Sequence, residues 1–180
     1  MRLTVPYQLL GEIPSELITA ISAKIADDHW AVLDYRKKMV QHKGTYDSIV
    51  LRHSSEYKTA TIRNMPLFAE YERLLTPIVE SLSRFYSITD YVALLANLRP
   101  GSAVNPHQDS GEFLTTTHRV HVPIRTNPQS FYSVGLGTIH MPMGSVWEID
   151  NQCTHAVINN GDTDRIHLII NIYGDRVLFQ

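Results

Sequence analysis

The segment Asp164-Arg165-Ile166-His167-Leu168-Ile169-Ile170-Asn171-Ile172-Tyr173 constrains this chain more than any other stretch. Side chains on a β-strand point alternately to its two faces. Ile166, Leu168, Ile170 and Ile172 therefore form an apolar face, while Arg165, His167, Asn171 and Tyr173 share the other, interrupted only by Ile169. Such a strand separates a hydrophobic layer from a polar space. Thr117-His118-Arg119-Val120-His121-Val122-Pro123-Ile124 repeats the design, with Arg119 and His121 on one side and Val120, Val122 and Ile124 on the other. Alone, either strand also fits a half-solvated sheet with its polar face in water. Two of them beside a metal-binding pattern predict a small β-barrel with inward cations. Guanidinium groups in a lumen suit a dicarboxylate, because they pair with carboxylates bidentately and stay charged at any working pH.

The metal-binding pattern is His107-Gln108-Asp109, answered by His155 in Thr154-His155-Ala156-Val157. Residues i and i+2 of a strand share a face, so His107 and Asp109 reach one ion while Gln108 points away, and a later strand supplies the third ligand. Two histidines and one carboxylate form the facial triad of non-haem Fe(II) oxygenases, which leaves positions open for a co-substrate and dioxygen. His-x-Asp by itself is frequent by chance; the ordered set with His155 and Arg165 is not. His118, His140 and His167 read as hydrogen-bonded or surface histidines. Trp147, Glu148 and Asp150, just before His155, read as groups that shape or orient the site. Cys153 reads as a small buried hydrophobe rather than a reactive thiol.

From Asn105 to Tyr173 the motifs Asn-Pro-His-Gln-Asp, His-Arg-Val-His-Val-Pro-Ile-Arg-Thr-Asn-Pro, Gly-Ser-Val-Trp-Glu-Ile-Asp-Asn, Thr-His-Ala-Val-Ile-Asn-Asn-Gly and Asp-Arg-Ile-His-Leu-Ile follow in order. This run resembles the aspartyl/asparaginyl β-hydroxylase family of Fe(II)/2-oxoglutarate dioxygenases. It is most similar to the bacterial branch, with amino-acid hydroxylases such as proline cis-4-hydroxylase, because Asp109 stands where vertebrate members have glycine. The resemblance implies that His107, Asp109 and His155 are iron ligands and that Arg165 pairs with the distal carboxylate of 2-oxoglutarate. It further implies that Arg119 and His121 lie near the chelating end of the co-substrate. A serine that assists at the distal carboxylate in vertebrate members falls at Ala96 by counting, and Asn97 is the substitute expected here.

Composition agrees with an enzyme. At 180 residues the chain has the size of one domain, and 43% hydrophobic residues suffice for a core. A net charge of −2 gives no footprint for nucleic acid or an anionic membrane. With a single cysteine, no signal peptide and no apolar run of spanning length, the expected compartment is the cytoplasm. Residues 1–90 read as a partly helical support region and 91–180 as the barrel core with the metal site. A helix is expected from Ser15, as N-cap, to about His29. A second follows Asn64-Met65-Pro66, with Leu67, Tyr71, Leu74, Leu75, Ile78, Leu82 and Phe85 as its stripe and Pro77 expected to kink or split it. Gly44-Thr45-Tyr46-Asp47 reads as a loop and Ser48–Arg52 as a strand. Turn residues at Pro100-Gly101, Asn127-Pro128, Gly135-Leu136-Gly137, Gly144 and Asn159-Asn160-Gly161 punctuate the β half.

These readings converge on a mainly β, double-stranded β-helix fold of the jelly-roll or cupin type, buttressed by N-terminal helices. The implied activity is hydroxylation of an amino acid, free or in a short peptide, coupled to oxidative decarboxylation of 2-oxoglutarate to succinate. Fe(II), 2-oxoglutarate and dioxygen are required and ascorbate is a supporting reductant. A redox-inert cupin, as metal-dependent enzyme or small-molecule-binding module, is the alternative, and the cationic strand faces argue against it. Halogenation is disfavoured because Asp109 fills the halide position. Trp30, Arg36, Gln41, His42, Arg52, Arg63 and Glu112 are the candidate substrate contacts, while the oligomeric state is left open.

Overall fold

The computed structural model describes residues 3–31, 46–54 and 61–177. In chain order the elements are β1 (Tyr7–Glu12), α1 (Ser15–Lys24), β2 (Tyr46–Ser54), β3 (Ile62–Asn64), α2 (Phe68–Leu82), β4 (Tyr86–Leu98), β5 (Ser102–His107), α3 (Glu112–Thr115), β6 (His118–Arg125), β7 (Ser130–Val134), β8 (Gly137–Ile139), β9 (Ser145–Ile149), β10 (His155–Asn159) and β11 (Arg165–Arg176). The strands form two sheets, β1-β9-β6-β11-β4-β2-β3 and β5-β10-β7-β8, and every pairing is antiparallel. Strands from β4 onward alternate between the sheets except at the β7–β8 hairpin, which is the winding of a double-stranded β-helix.

The alternation read from the sequence sets the layers. Val120, Val122, Ile124, Ile166, Leu168, Ile170 and Ile172 are all essentially inaccessible and join one core cluster with Ile18 and Ile21 of α1 and Tyr71, Leu75, Ile78 and Leu82 of α2. Burying each aliphatic side chain stabilises the fold by about 1.5–3 kcal/mol, so this shared face is what fixes the helices against the larger sheet. The opposite faces enclose a smaller apolar cluster between the sheets, made of Leu98, Tyr132, Val134, Met141, Ile149 and Val157.

Several boundaries differ from the sequence expectation. Ser15 is the first residue of α1 rather than its cap, no side chain caps the helix, and it ends at Lys24, before a separate 3-10 turn at Asp27–Ala31. Pro77 lies inside α2 without splitting it. It sits on the solvent-facing side of that helix, where water can satisfy the carbonyl that loses its N–H partner. Tyr46 and Asp47 belong to β2 rather than to a loop, and α2 ends at Leu82, so Phe85, expected on its apolar stripe, lies in the turn before β4 starts at Tyr86. The N-terminal half contributes strands as well as helices: β1 extends the larger sheet beyond β9, and β2 and β3 extend it beyond β4. Among the described residues no helix is long and apolar enough to cross a membrane.

Candidate metal centre and cationic lumen

β5 and β10 are neighbours, and their register sets His107 directly opposite His155. Between this pair and Val104–Val157, β5 has two residues, Asn105 and Pro106, where β10 has only Ala156. That bulge resets the alternation of β5, so His107 shares a side with Val104 although an odd number of positions separates them. The two imidazole centroids are 4.2 Å apart.

β5 stops at His107, so the i, i+2 strand geometry expected for His107 and Asp109 is not what aligns them. Asp109 is positioned by tertiary contacts instead. Its backbone N–H donates to the Asn151 carbonyl at 3.1 Å, and its Oδ2 accepts from Asn151 Nδ2 at 3.1 Å and pairs with an Arg119 terminal nitrogen at 2.7 Å. With Oδ2 engaged, Oδ1 faces His107 Nε2 at 3.9 Å. One donor atom from each of His107, Asp109 and His155 lies within 4.8 Å of the other two, a spacing that can hold a metal ion.

Hydrogen bonds also settle the tautomers. His107 Nδ1 lies 2.8 Å from the Asn105 carbonyl and His155 Nδ1 lies 3.0 Å from the Cys153 carbonyl. A carbonyl only accepts, so both Nδ1 atoms carry the proton and the lone pair of each ring is on Nε2, the atom that can bind a cation. Burial pushes the His155 pKa below the ordinary histidine range, which keeps the ring in the neutral form that a metal requires. Tyr132 stacks on that ring with centroids 5.9 Å apart, and burial raises its own phenol pKa.

Arg165, His121 and His167 project into the same space. Arg165 is 6% exposed and, among the described residues, makes one side-chain hydrogen bond, from a terminal guanidinium nitrogen to His167 Nδ1 at 3.1 Å, with no carboxylate at ion-pair distance. Burial lowers its pKa from the ordinary arginine value to about 10. Among the described residues neither ring nitrogen of the buried His121 has a partner, nor does Nε2 of His167. Burial, then Arg119, Arg165 and His155, push the His121 pKa well below the usual range. A buried cation without a counterion and imidazole nitrogens without partners both cost free energy until a ligand answers them. Arg119 is differently placed: besides Asp109 it donates through Nε to Asn171 Oδ1 at 3.1 Å.

Asn97 is not brought together with Arg165. In β4 it pairs with Ile166, whose side faces the helices, whereas Ala96 pairs with His167 and faces the lumen. Its amide donates to Asp164 Oδ2 at 2.9 Å. Among the substrate candidates, Arg52 is paired with Asp90 and lies over the Tyr91 ring, and Trp30 packs on the principal core. Arg63 is exposed, nothing is described of the Glu112 side chain, and Arg36, Gln41 and His42 lie outside the described residues.

The supporting groups are partly different from those the sequence suggested. Glu148 faces away from the metal centre, where it binds His118, Tyr86 and Arg176. Asp150 bonds the Gln152 N–H and the Cys153 thiol, shaping the turn whose Cys153 carbonyl orients His155. Trp147 donates to Ser145 Oγ, and the half-buried Cys153 packs at the edge of the inter-sheet cluster. Asn151, Asn171 and Tyr132 were missed. Asn171 was legible on the polar face of β11, but Asn151 sits in a turn where no periodicity assigns direction.

The sequence matches the aspartyl/asparaginyl beta-hydroxylase family over residues 11–174. Among solved structures, a Pseudomonas putida prolyl-4-hydroxylase aligns with a TM-score of 0.52 and 12% identity, covering 96% of this chain and 94% of that one. A viral collagen prolyl hydroxylase from Paramecium bursaria Chlorella virus-1, solved as a 2-oxoglutarate complex, aligns with a TM-score of 0.55 and 9% identity over 98% of both chains. An oxidoreductase of the 2OG-Fe(II) oxygenase family from Burkholderia pseudomallei aligns with a TM-score of 0.55 and 11% identity, covering 88% and 89%. At these identities the three structures speak for the fold.

Proposed function

The chain belongs to the aspartyl/asparaginyl β-hydroxylase family and is a dioxygenase, and from that premise we propose that it uses Fe(II) and 2-oxoglutarate to hydroxylate an amino acid, free or in a short peptide. The observation that carries this reading is the pairing, within one lumen, of a His-Asp-His donor set with a buried guanidinium that has no counterion among the described residues. Two neutral imidazoles and one carboxylate suit Fe(II), and the orphaned cation suits the far end of a dicarboxylate.

In this reading His107 and His155 give Nε2 and Asp109 gives Oδ1 to the iron. Bound iron supplies the activation of dioxygen that couples decarboxylation of the 2-oxo acid to substrate hydroxylation. The protein's work is placement. Asn105 and Cys153 carbonyls fix the two rings, while Arg119 and Asn151 hold Asp109 by its other oxygen. Arg165 takes the distal carboxylate. His121 presents its unpartnered nitrogens towards the chelating end, joined by the guanidinium hydrogens that Arg119 does not spend on Asp109 and Asn171. Leu98, Val134 and Val157 keep water from this space, so each charge pair inside it is stronger than at the surface.

The test has two stages. Anaerobic addition of Fe(II) and then 2-oxoglutarate is expected to give a visible charge-transfer band, and air with ascorbate is then expected to release succinate in a screen of amino acids and short peptides, proline and prolyl peptides included. A protein that binds iron but gives neither band nor succinate is a redox-inert metal-binding cupin instead.

A further inference from the structure

We infer that His167 is a positioning residue for the co-substrate, whose Nδ1 accepts a hydrogen bond from Arg165 and so aims the guanidinium at the far carboxylate. The inference rests on the proposed binding of 2-oxoglutarate and extends it to a residue that sequence periodicity reads only as a hydrogen-bonded or surface histidine.

The argument begins with proton placement. A guanidinium nitrogen can only donate, so the 3.1 Å contact between Arg165 and His167 makes Nδ1 the acceptor and puts the ring proton on Nε2. That Nε2 is buried and has no partner among the described residues, in a residue 1% exposed, so the Nδ1 contact is what orients the ring. The ring is held edge-to-face against His121 at 5.7 Å, which leaves it little freedom to find another acceptor. Burial and the Arg165 charge both drive its pKa well down, in keeping with the neutral tautomer the contact demands. Arg165 has five N–H donors and spends one here, which leaves the rest of the fork for a carboxylate. His167 thus sets the angle of the guanidinium fork without reaching the anion itself, because the two nitrogens of one imidazole point in nearly opposite directions. A pocket end built this way selects a 2-oxo acid with a terminal carboxylate over one that ends in a methyl group.

Three substitutions test the contact. In His167→Asn the amide oxygen takes the place of Nδ1, in His167→Gln the amide N–H takes the place of Nε2, and His167→Phe keeps the ring shape and neither polar atom. The readout is calorimetric binding of 2-oxoglutarate and of 2-oxobutyrate, which lacks the far carboxylate, to Mn(II)-loaded protein without turnover, with thermal melting to verify folding. His167→Phe is expected to weaken 2-oxoglutarate about ten- to a hundredfold, the effect of losing a hydrogen bond to a charged group, while leaving 2-oxobutyrate nearly unchanged. The Asn variant, which restores the acceptor, is expected to recover most of that affinity, and the Gln variant, which restores only the opposite nitrogen, is expected to behave like Phe. Equal losses for both oxo acids, or 2-oxoglutarate binding at wild-type strength in His167→Phe, would overturn the assignment. Arg165→Gln distinguishes the two levels of failure: if it weakens 2-oxoglutarate and His167→Phe does not, only the role of His167 falls. If wild type does not bind 2-oxoglutarate, both fall.

Discussion

Arg165 is expected to work against the stability of the protein that carries it, and this gives a prediction with two opposite signs. Its pKa falls from the ordinary arginine value to about 10 because burial penalises the charged guanidinium. At about 1.4 kcal/mol per pH unit that drop corresponds to about 3 kcal/mol of destabilisation at neutral pH, where the side chain is charged in both folded and unfolded states. Arg165→Gln removes the penalty. It also removes the hydrogen bond to His167, which is worth about 1 kcal/mol. The metal-free variant should therefore be more stable than wild type by about 2 kcal/mol, a rise in Tm of about 4–8 °C for a chain of this size. Co-substrate binding moves the other way. Leaving the far carboxylate buried without its partner costs about 3–5 kcal/mol, so 2-oxoglutarate should bind a hundredfold to several-thousandfold more weakly, with Fe(II) affinity nearly intact. Melting curves of the metal-free proteins and titrations of the metal-loaded ones read the two effects separately. A variant that melts no higher than wild type and binds 2-oxoglutarate equally well would refute both the burial argument and the assignment. An Arg165→Lys protein should recover affinity only in part, because an ammonium cannot reproduce the planar fork.

His107→Ala and His155→Ala should each abolish Fe(II) binding and turnover; wild-type iron affinity by calorimetry in either would remove that residue from the site. Arg119→Gln should weaken Fe(II) about tenfold before any co-substrate is added, since its ion pair fixes the outer oxygen of Asp109. An unchanged iron affinity with a raised KM for 2-oxoglutarate would assign Arg119 to the co-substrate alone. His121 and His167 both have pKa values well below 6.5 in the folded protein. The unfolded chain therefore binds more protons below pH 6.5, and stability falls as pH drops through that range. The slope approaches about 2.7 kcal/mol per pH unit from these two groups, and chemical denaturation of metal-free protein between pH 7.5 and 5 measures it. A His121→Asn protein should show roughly half that slope.

What the sequence determined by itself was the chemistry and its rough address. The two-residue period of β6 and β11 put Arg119, His121, Arg165, His167 and Asn171 on faces opposite to the isoleucines and valines, and that division depends only on strand geometry. The His-x-Asp and His155 pattern likewise named its three donors, since few arrangements other than a metal site use them together. Tertiary structure decided how those donors converge. His107 turns inward because of a bulge, and Asp109 reaches its place through Asn151 and Arg119 rather than through a strand. Asn97 and Ala96 show the same limit: they differ by one position, and only the pairing of β4 with β11 says which of them shares the lumen face with Arg165. The contact between Arg165 and His167, two residues apart on one strand face, was geometrically open from the start. Burial made it consequential, because a buried guanidinium must find a hydrogen-bond partner and an exposed one has water. Local patterns fix which face a residue occupies, whereas bulges, turns and dehydration depend on what lies across the lumen.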